Sequence, residues 1–282
     1  MRRHDHMPIR MTKFQSGFTL AEAVIVIAIT GIISAIVAVF IKAPVQGYFD
    51  ASRRAEMTDI ADTALRRISR DLRLALPNSV RVAGGNTAIE FLQTRAGGRY
   101  RSEIGATTAE NDILDFNNPT DTTFELLGPP ITFNAGDQIV IYNLGIDGAD
   151  AYQGNTGANH VRRALNVAGI GTTTTVRIDS ANSFPFDSPS HSFQVVDTPV
   201  SYLCSNGTLT RYAGYPISNT QPALPVDFPA GTGARLANNV NCTFTYVAGV
   251  TERSGLVSMQ LTITQGDEKV TLYHQVHVSN AP

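Results

Sequence analysis

The chain has 282 residues, of which 43% are hydrophobic and 16% are charged, and its formal net charge is -2. This near-neutral balance argues against a nucleic-acid-binding protein, which usually has a clear basic excess. The apolar content excludes a disordered chain. Two cysteines exclude a disulfide-dense scaffold and most cysteine-rich zinc modules. The length fits one large domain or two small ones.

An apolar run lies near the N-terminus. Residues 23–41 contain no charged residue, and the 24 residues from Phe18 to Ile41 are interrupted only by Glu22. As a helix they would be about 36 Å long, which is enough to cross a hydrocarbon core of about 30 Å. A buried core helix is the alternative, but the length of the charge-free run favours a membrane segment.

The segment before the apolar run is basic. Residues 1–16 contain one acid, Asp5, and four Arg or Lys residues: Arg2, Arg3, Arg10 and Lys13. This charge predicts that the N-terminal end stays in the cytoplasm and that the remainder is exported. An ordinary secretory signal has a shorter apolar region with small residues after it. Here the apolar run is longer, and the small residue Gly17 precedes it.

The junction Gly17-Phe18-Thr19-Leu20-Ala21-Glu22, followed by the apolar run, resembles the leader junction of type IV prepilins and type II secretion pseudopilins. The resemblance implies a leader at residues 1–17, which a prepilin peptidase removes by cleavage between Gly17 and Phe18. It also implies N-methylation of Phe18, the first mature residue. Met1, Met7 and Met11 all remain candidate start positions. Residues 18–43 are then the transmembrane and filament-core helix.

Glu22 is the single acid within this apolar segment. A carboxylate inside a membrane is costly and persists mainly where it finds a partner. The new amine of Phe18 lies about one helical turn away and carries the opposite charge. The resemblance implies that the carboxylate meets the N-terminal amine of a neighbouring subunit during assembly. The alternative is an interfacial glutamate that reaches headgroup water.

Residues 44–76 are predicted to form the amphipathic second half of the helix, after a kink or loosening at Pro44 and Gly47. Apolar residues recur every four positions, which predicts one buried stripe: Ile60, Ala64, Ile68, Leu72 and Leu76. The arginines between them indicate a solvated face with local ion pairs rather than an anion site. Pro77 is expected to end the helix.

Residues 77–282 are predicted to form a β-rich globular domain, because short strand-like runs alternate there with turn signals. The expected strands are 88–94, 138–144, 174–178, 192–196, 200–205, 208–212, 242–248, 255–265 and 269–278. Hairpin turns are expected at Asn206-Gly207 and Gly266-Asp267. One long helix with an antiparallel sheet makes the predicted fold class α+β.

Both cysteines, Cys204 and Cys242, lie in the part predicted to be exported, where oxidising conditions permit a disulfide. Two reduced cysteines are the alternative. Asp147 and Asp150 are weak candidates for a calcium site, but their loop lacks the alternation and the terminal glutamate of an EF-hand. We therefore interpret it as a solvated loop, and we expect no cofactor.

No catalytic fingerprint occurs in the sequence, so we do not expect an enzyme. His274 and His277 are three positions apart on a predicted strand and should point to opposite faces. His160 and His191 have no companion residues that indicate chemistry.

Three further segments resemble a minor pilin of the mannose-sensitive haemagglutinin pilus system, and residues 95–195 show no such likeness. The segments that show the resemblance are 75–82, the pair 201–204 and 209–212, and the pair 242–246 and 255–257. The resemblance implies a minor subunit at or near the filament tip that starts assembly or aids adhesion. The implied partners are the prepilin peptidase/methyltransferase, other pilins and the assembly platform. The implied location is the inner membrane, with the globular domain in the periplasm, and then the filament.

Two alternatives stay open at this point. The J-type minor pseudopilin of type II secretion has a similar helix and a large β domain. A periplasmic enzyme or receptor could also use the helix only as a membrane anchor, although an anchor does not require the Gly17–Glu22 junction.

Overall fold

The computed structural model describes residues 17–106, 112–118, 120–153, 163–165, 171–179, 184–249 and 254–282. The predicted leader therefore lies outside the described residues except for Gly17, and so does His160. The chain divides into two compact units, Met1–Ser52 and Arg53–Pro282. The α+β fold class predicted from the sequence is confirmed.

A single helix, α1, runs from Leu20 to Leu72 and continues through Pro44. The helix ends at Leu72, four residues before Leu76, which is the last apolar residue of the predicted stripe. The backbone N–H of Leu76 donates to Leu92 O and that of Thr94 donates to Leu74 O, each at 2.7 Å. This segment therefore pairs with a strand instead of continuing the helix, which also gives the residue before Pro77 the extended backbone that it favours.

Within the described residues, fourteen strands follow α1, together with a short 3-10 helix at Pro225–Asp227. The strands are β1 (Arg81–Ala83), β2 (Ala88–Tyr100), β3 (Thr123–Leu127), β4 (Ile131–Phe133), β5 (Gln138–Val140), β6 (Ala164–Leu165), β7 (Gly171–Thr173), β8 (Thr175–Arg177), β9 (Ser192–Ser205), β10 (Thr208–Ala213), β11 (Gly233–Asn238), β12 (Val240–Val247), β13 (Gly255–Gln265) and β14 (Glu268–Val278).

The largest sheet has nine strands, with the path β11-β10-β9-β2-β3-β8; β1 pairs with β2, and β5 pairs with β6 and β9. A second sheet has the order β12-β13-β14, and β4 pairs with β7. All these pairs are antiparallel. The expected hairpin turns are present, because Asn206, Gly207 and Gly266 have φ values of 50°, 72° and 61°.

The prediction of two separate strands on either side of Pro199 is wrong. Strand β9 runs through the proline, which lies opposite Leu92, and the register with β2 shifts between Leu92 and Ala96. A proline lacks the N–H that a regular ladder needs, and bulges are where sheets accommodate such residues. Irregular pairing in β2 therefore lets β9 continue.

The helix buries its predicted stripe against both larger sheets. Ala64, Ile68 and Leu72 are fully buried, and Ile60 is partly buried. They pack with side chains from the nine-stranded sheet, such as Phe91 and Tyr202. They also pack with side chains from the three-stranded sheet: Phe244, Val257, Met259 and Leu261. We call this cluster the helix-facing core.

A second core lies in the part of the chain between β2 and β9. It contains Tyr100, Phe124, Phe133, Val176 and Phe193. The long strands β2 and β9 contribute to both cores, because Phe91 and Tyr202 lie in the first while Tyr100 and Phe193 lie in the second. The segment between the two strands therefore extends the sheet and builds its own apolar interior.

A buried carboxylate fixes the end of α1 to the sheet. Asp71 is 5% exposed. Its Oδ2 accepts hydrogen bonds from the Tyr202 hydroxyl and from Arg211 Nε, each at 2.7 Å, and Arg67 Nε lies 3.5 Å from Oδ1. Burial raises the pKa of Tyr202, and the hydrogen bond to Asp71 acts in the same direction. The three donors compensate the negative charge inside the protein.

Candidate functional site

The backbone changes conformation at the junction that the sequence singled out. Gly17, Phe18 and Thr19 are non-helical and exposed, and α1 begins at Leu20. Thr19 Oγ1 accepts a hydrogen bond from the backbone N–H of Glu22 at 3.2 Å. The carbonyl of Thr19 accepts the bond from Ala23 at 3.1 Å. Thr19 is therefore the N-cap of the helix.

Thr19 is a residue that the sequence reasoning missed. Thr19 and Glu22 form the Thr-x-x-Glu pattern of a capping box, which precedes an apolar run at the start of a helix. That spacing was the signal that could have identified the cap. The cap leaves the Gly17–Phe18 peptide bond outside the helix, in an exposed and non-helical part of the chain.

Glu22 lies in the first turn of α1 and is exposed. The four N-terminal N–H groups of a helix give this end a partial positive charge, so an acid in the first turn stabilises it. Glu22 thus has a local role as well as its predicted role in assembly. Cleavage before Phe18 would add a full positive charge four residues earlier.

The helix after this junction has no apolar cover within its own unit. Fourteen large hydrophobic side chains between Phe18 and Ile41 are exposed, among them Leu20, Ile27 and Phe40. Among the described residues, α1 is the one helix long and apolar enough to cross a membrane, and none of its most apolar 18-residue window is buried. Burying one such side chain is worth about 1.5–3 kcal/mol, so this surface requires lipid or other protein around it.

The two cysteines are joined in a disulfide whose Cα atoms are 5.9 Å apart. Cys204 lies on β9 and Cys242 on β12, so the bond connects the nine-stranded and three-stranded sheets. Both side chains are buried in the helix-facing core. The closed loop of 38 residues corresponds to about 4 kcal/mol in the chain-entropy estimate.

The candidate calcium ligands are engaged in local turns. Asp147 Oδ1 accepts a hydrogen bond from Gln153 Nε2 at 2.8 Å, and Asp150 Oδ1 accepts one from the backbone N–H of Tyr152 at 2.9 Å. Across the part of the chain that the structure describes, no group of three or more His, Cys, Asp or Glu residues could hold a metal ion. His274 and His277 lie opposite Met259 and Leu256 and so point to opposite faces, as predicted.

A buried polar cluster lies on the face of β2 opposite the helix-facing core, and its members bind one another. Glu90 is fully buried and accepts a hydrogen bond from Arg81 Nη2 at 2.9 Å. Burial raises the pKa of Glu90, and Arg81 opposes that shift. The Arg81 guanidinium lies 3.5 Å from the centre of the Tyr152 ring. Ser201 Oγ donates to the second carboxylate oxygen of Glu90 at 3.4 Å, so both oxygens have protein partners.

Three features occur together at the N-terminus: an exposed junction, a capped helix start and an apolar helix without cover in its own unit. The family described as prokaryotic N-terminal methylation motif matches residues 12–38, which include Gly17, Phe18 and Glu22. The motif supports a type IV prepilin-like, processed subunit that is anchored in a membrane and assembles with other pilins. No curated protein and no solved structure matches the chain.

Proposed function

We propose that the chain is a minor pilin of a type IV pilus similar to the mannose-sensitive haemagglutinin system. A prepilin peptidase cleaves it between Gly17 and Phe18, Phe18 is N-methylated, and the apolar part of α1 carries the subunit from the inner membrane into the filament. The proposed domain organisation is the one predicted from the sequence. It has a leader at 1–17, a membrane and filament-core segment at 18–43, an amphipathic segment at 44–76 and a globular domain at 77–282. The observation that carries the proposal is the methylation motif on a capped, uncovered apolar helix.

The distribution of the finer resemblance supports the pilus assignment. All three segments that resemble the minor pilin contribute buried residues to the helix-facing core, including Val80, Tyr202 and Phe244. The unmatched stretch 95–195 contributes the second core instead. We expect a subunit that docks like its relatives to share the helix-facing core with them. We expect its additional bulk to come from an inserted segment, here 95–195. We place such a bulky subunit at or near the tip.

The first experiment is mass spectrometry of the mature N-terminus in cells with and without a prepilin peptidase. We expect an N-methylated Phe18 in the first case and an intact leader in the second. An intact leader in both would remove the pilin proposal and favour a simple membrane anchor. Gene neighbourhood and co-purification with pilus or secretion subunits then separate the pilus role from that of a type II secretion pseudopilin.

The second experiment tests Glu22. We expect Glu22→Ala to leave cleavage intact and to lower incorporation into sheared filaments by at least about tenfold, because a lost charge pair in a low-dielectric environment exceeds about 1.4 kcal/mol. Glu56→Ala is the matched control, since Glu56 is an exposed glutamate on the same helix. Equal incorporation of both variants would refute the assembly role of Glu22.

A further inference from the structure

The outer face of the three-stranded sheet carries polar side chains that do not belong to the helix-facing core. The inward residues of this sheet, such as Phe244, Met259 and Leu261, belong to the helix-facing core. The alternate residues face away from that core and line a depression of about 470 Å³, which Met259 and His274 also border. Ligand pockets typically have about 300–1,000 Å³, so the space suits a small molecule or a short polymer segment.

Strand register places six side chains in two rows across this face. One row is Thr243, Gln260 and Tyr273, and the next is Thr245, Ser258 and Gln275. Neighbouring strands are about 4.8 Å apart, so each row spans about 10 Å. We call these six residues the platform.

The platform has no formal charge. The row beyond it, Asn241, Thr262 and Thr271, is uncharged as well. Three successive outward positions on each of the three strands, nine in all, thus contain no Asp, Glu, Lys or Arg. A face that serves only solubility usually mixes both signs of charge. Its composition fits a ligand that is neutral and polar.

The hydrogen-bonding capacity of the platform is only partly used. Gln275 Nε2 donates to Ser258 Oγ at 3.1 Å, which fixes the orientation of that amide. Within the described chain Gln260 has no side-chain hydrogen bond, so its two donors and its carbonyl acceptor are available. Beside Gln260 lies Tyr273, whose side chain is among the most exposed aromatic groups in the described residues at 73%.

From this juxtaposition we infer that the platform binds a neutral carbohydrate. Amides and hydroxyls pair with sugar hydroxyl groups, and the exposed face of Tyr273 packs against the apolar C–H face of a pyranose ring. The absence of charge complements an uncharged glycan and gives nothing to attract an acidic one. The platform lies within the Arg53–Pro282 unit, so binding does not require a filament.

The test is calorimetric titration of the full-length protein in a detergent with a zwitterionic head group, because a maltoside head group would compete. The probes are cellohexaose and mannohexaose as neutral hexasaccharides and hexagalacturonate as the charged one. We expect a neutral probe to bind with a Kd of about 1 mM or tighter. Tyr273→Ala and Gln260→Ala should each weaken that binding by about tenfold.

His277→Ala is the matched control, since His277 is exposed on the same strand and face but lies outside the platform; it should change the Kd by less than about twofold. Near-UV circular dichroism checks that each variant is folded. Failure of both neutral probes overturns the inference, as does equal binding of hexagalacturonate or binding unaffected by Tyr273→Ala. Self-association abolished by Tyr273→Ala without sugar binding would assign the face to a second copy instead.

Discussion

The attachment of the helix end to the sheet through Asp71 gives the sharpest stability prediction. In Asp71→Asn the shape is kept but the charge is lost, and an amide NH2 group, which only donates, replaces one of the two accepting oxygens. One charge-assisted hydrogen bond is worth about 1.5–3 kcal/mol. Breaking a fully buried ion pair costs about 3–5 kcal/mol. Since the Arg211 side chain remains 17% exposed, we expect a loss of about 2–4 kcal/mol.

Asp62→Asn is the matched control on the same helix. Asp62 pairs with Arg66 at 2.7 Å, but their side chains are 45% and 74% exposed. A pair of this kind is worth about 0.5 kcal/mol or less. The two substitutions are chemically identical, so the difference between them isolates the effect of burial and of the partners Tyr202 and Arg211.

The assay is urea unfolding of the full-length protein in detergent, followed by near-UV circular dichroism of the tyrosines, because the chain has no tryptophan. We expect a lower midpoint at an unchanged slope for Asp71→Asn. A double-mutant cycle with Tyr202→Phe should give a coupling energy of about 1 kcal/mol. Equal midpoints for Asp71→Asn and Asp62→Asn would show that the carboxylate does not anchor the helix.

Three further predictions follow from the cap, the disulfide and the buried tyrosines. Thr19→Val should destabilise the first helical turn by about 1 kcal/mol, seen as faster hydrogen exchange at the Glu22 amide, and Thr19→Ser should restore protection because it keeps the hydroxyl. The Cys204→Ser/Cys242→Ser variant should lose about 4 kcal/mol, and alkylation of the non-reduced native protein should label neither cysteine; labelling of both would refute the bridge. Burial raises the pKa of five tyrosines in the described chain above their usual value of 10.0, namely Tyr100, Tyr152, Tyr202, Tyr215 and Tyr246. Unfolded tyrosines release protons near pH 10 while the buried ones retain theirs, so the free energy of unfolding should fall above about pH 10 by up to about 1.4 kcal/mol per pH unit for each. Constant urea midpoints between pH 9 and pH 12 would contradict that assignment.

Several features of the candidate site were predictable because the interactions that define them are local. The apolar run, the helix and the junction around Gly17 and Glu22 depend on neighbours a few positions apart. The cap at Thr19 is equally local, and its pattern was present in the sequence. The long final strands were predictable for the same reason, since apolar and polar residues alternate over 257–264 and, with a break at Tyr273-His274, over 269–278.

Other features required the tertiary structure. The six strands that sequence reasoning did not identify are 2–6 residues long and depend on pairing with distant segments: β1, β3, β4, β6, β7 and β11. Burial of Asp71 is decided by Tyr202 and Arg211, more than 130 positions away along the chain. A charged residue near a helix end looks solvated until its partners are known.

The sequence by itself determined how this chain begins: its helix, its apolar surface and its processing motif, because helical periodicity and capping act over a few residues. Only the tertiary structure decided which distant residues of the remaining chain lie next to one another. It joined Cys204 on one sheet to Cys242 on another, and it gave the segment between β2 and β9 a core of its own. It also aligned Thr243, Gln260 and Tyr273, because strand register is a property of pairing between segments rather than of any one segment.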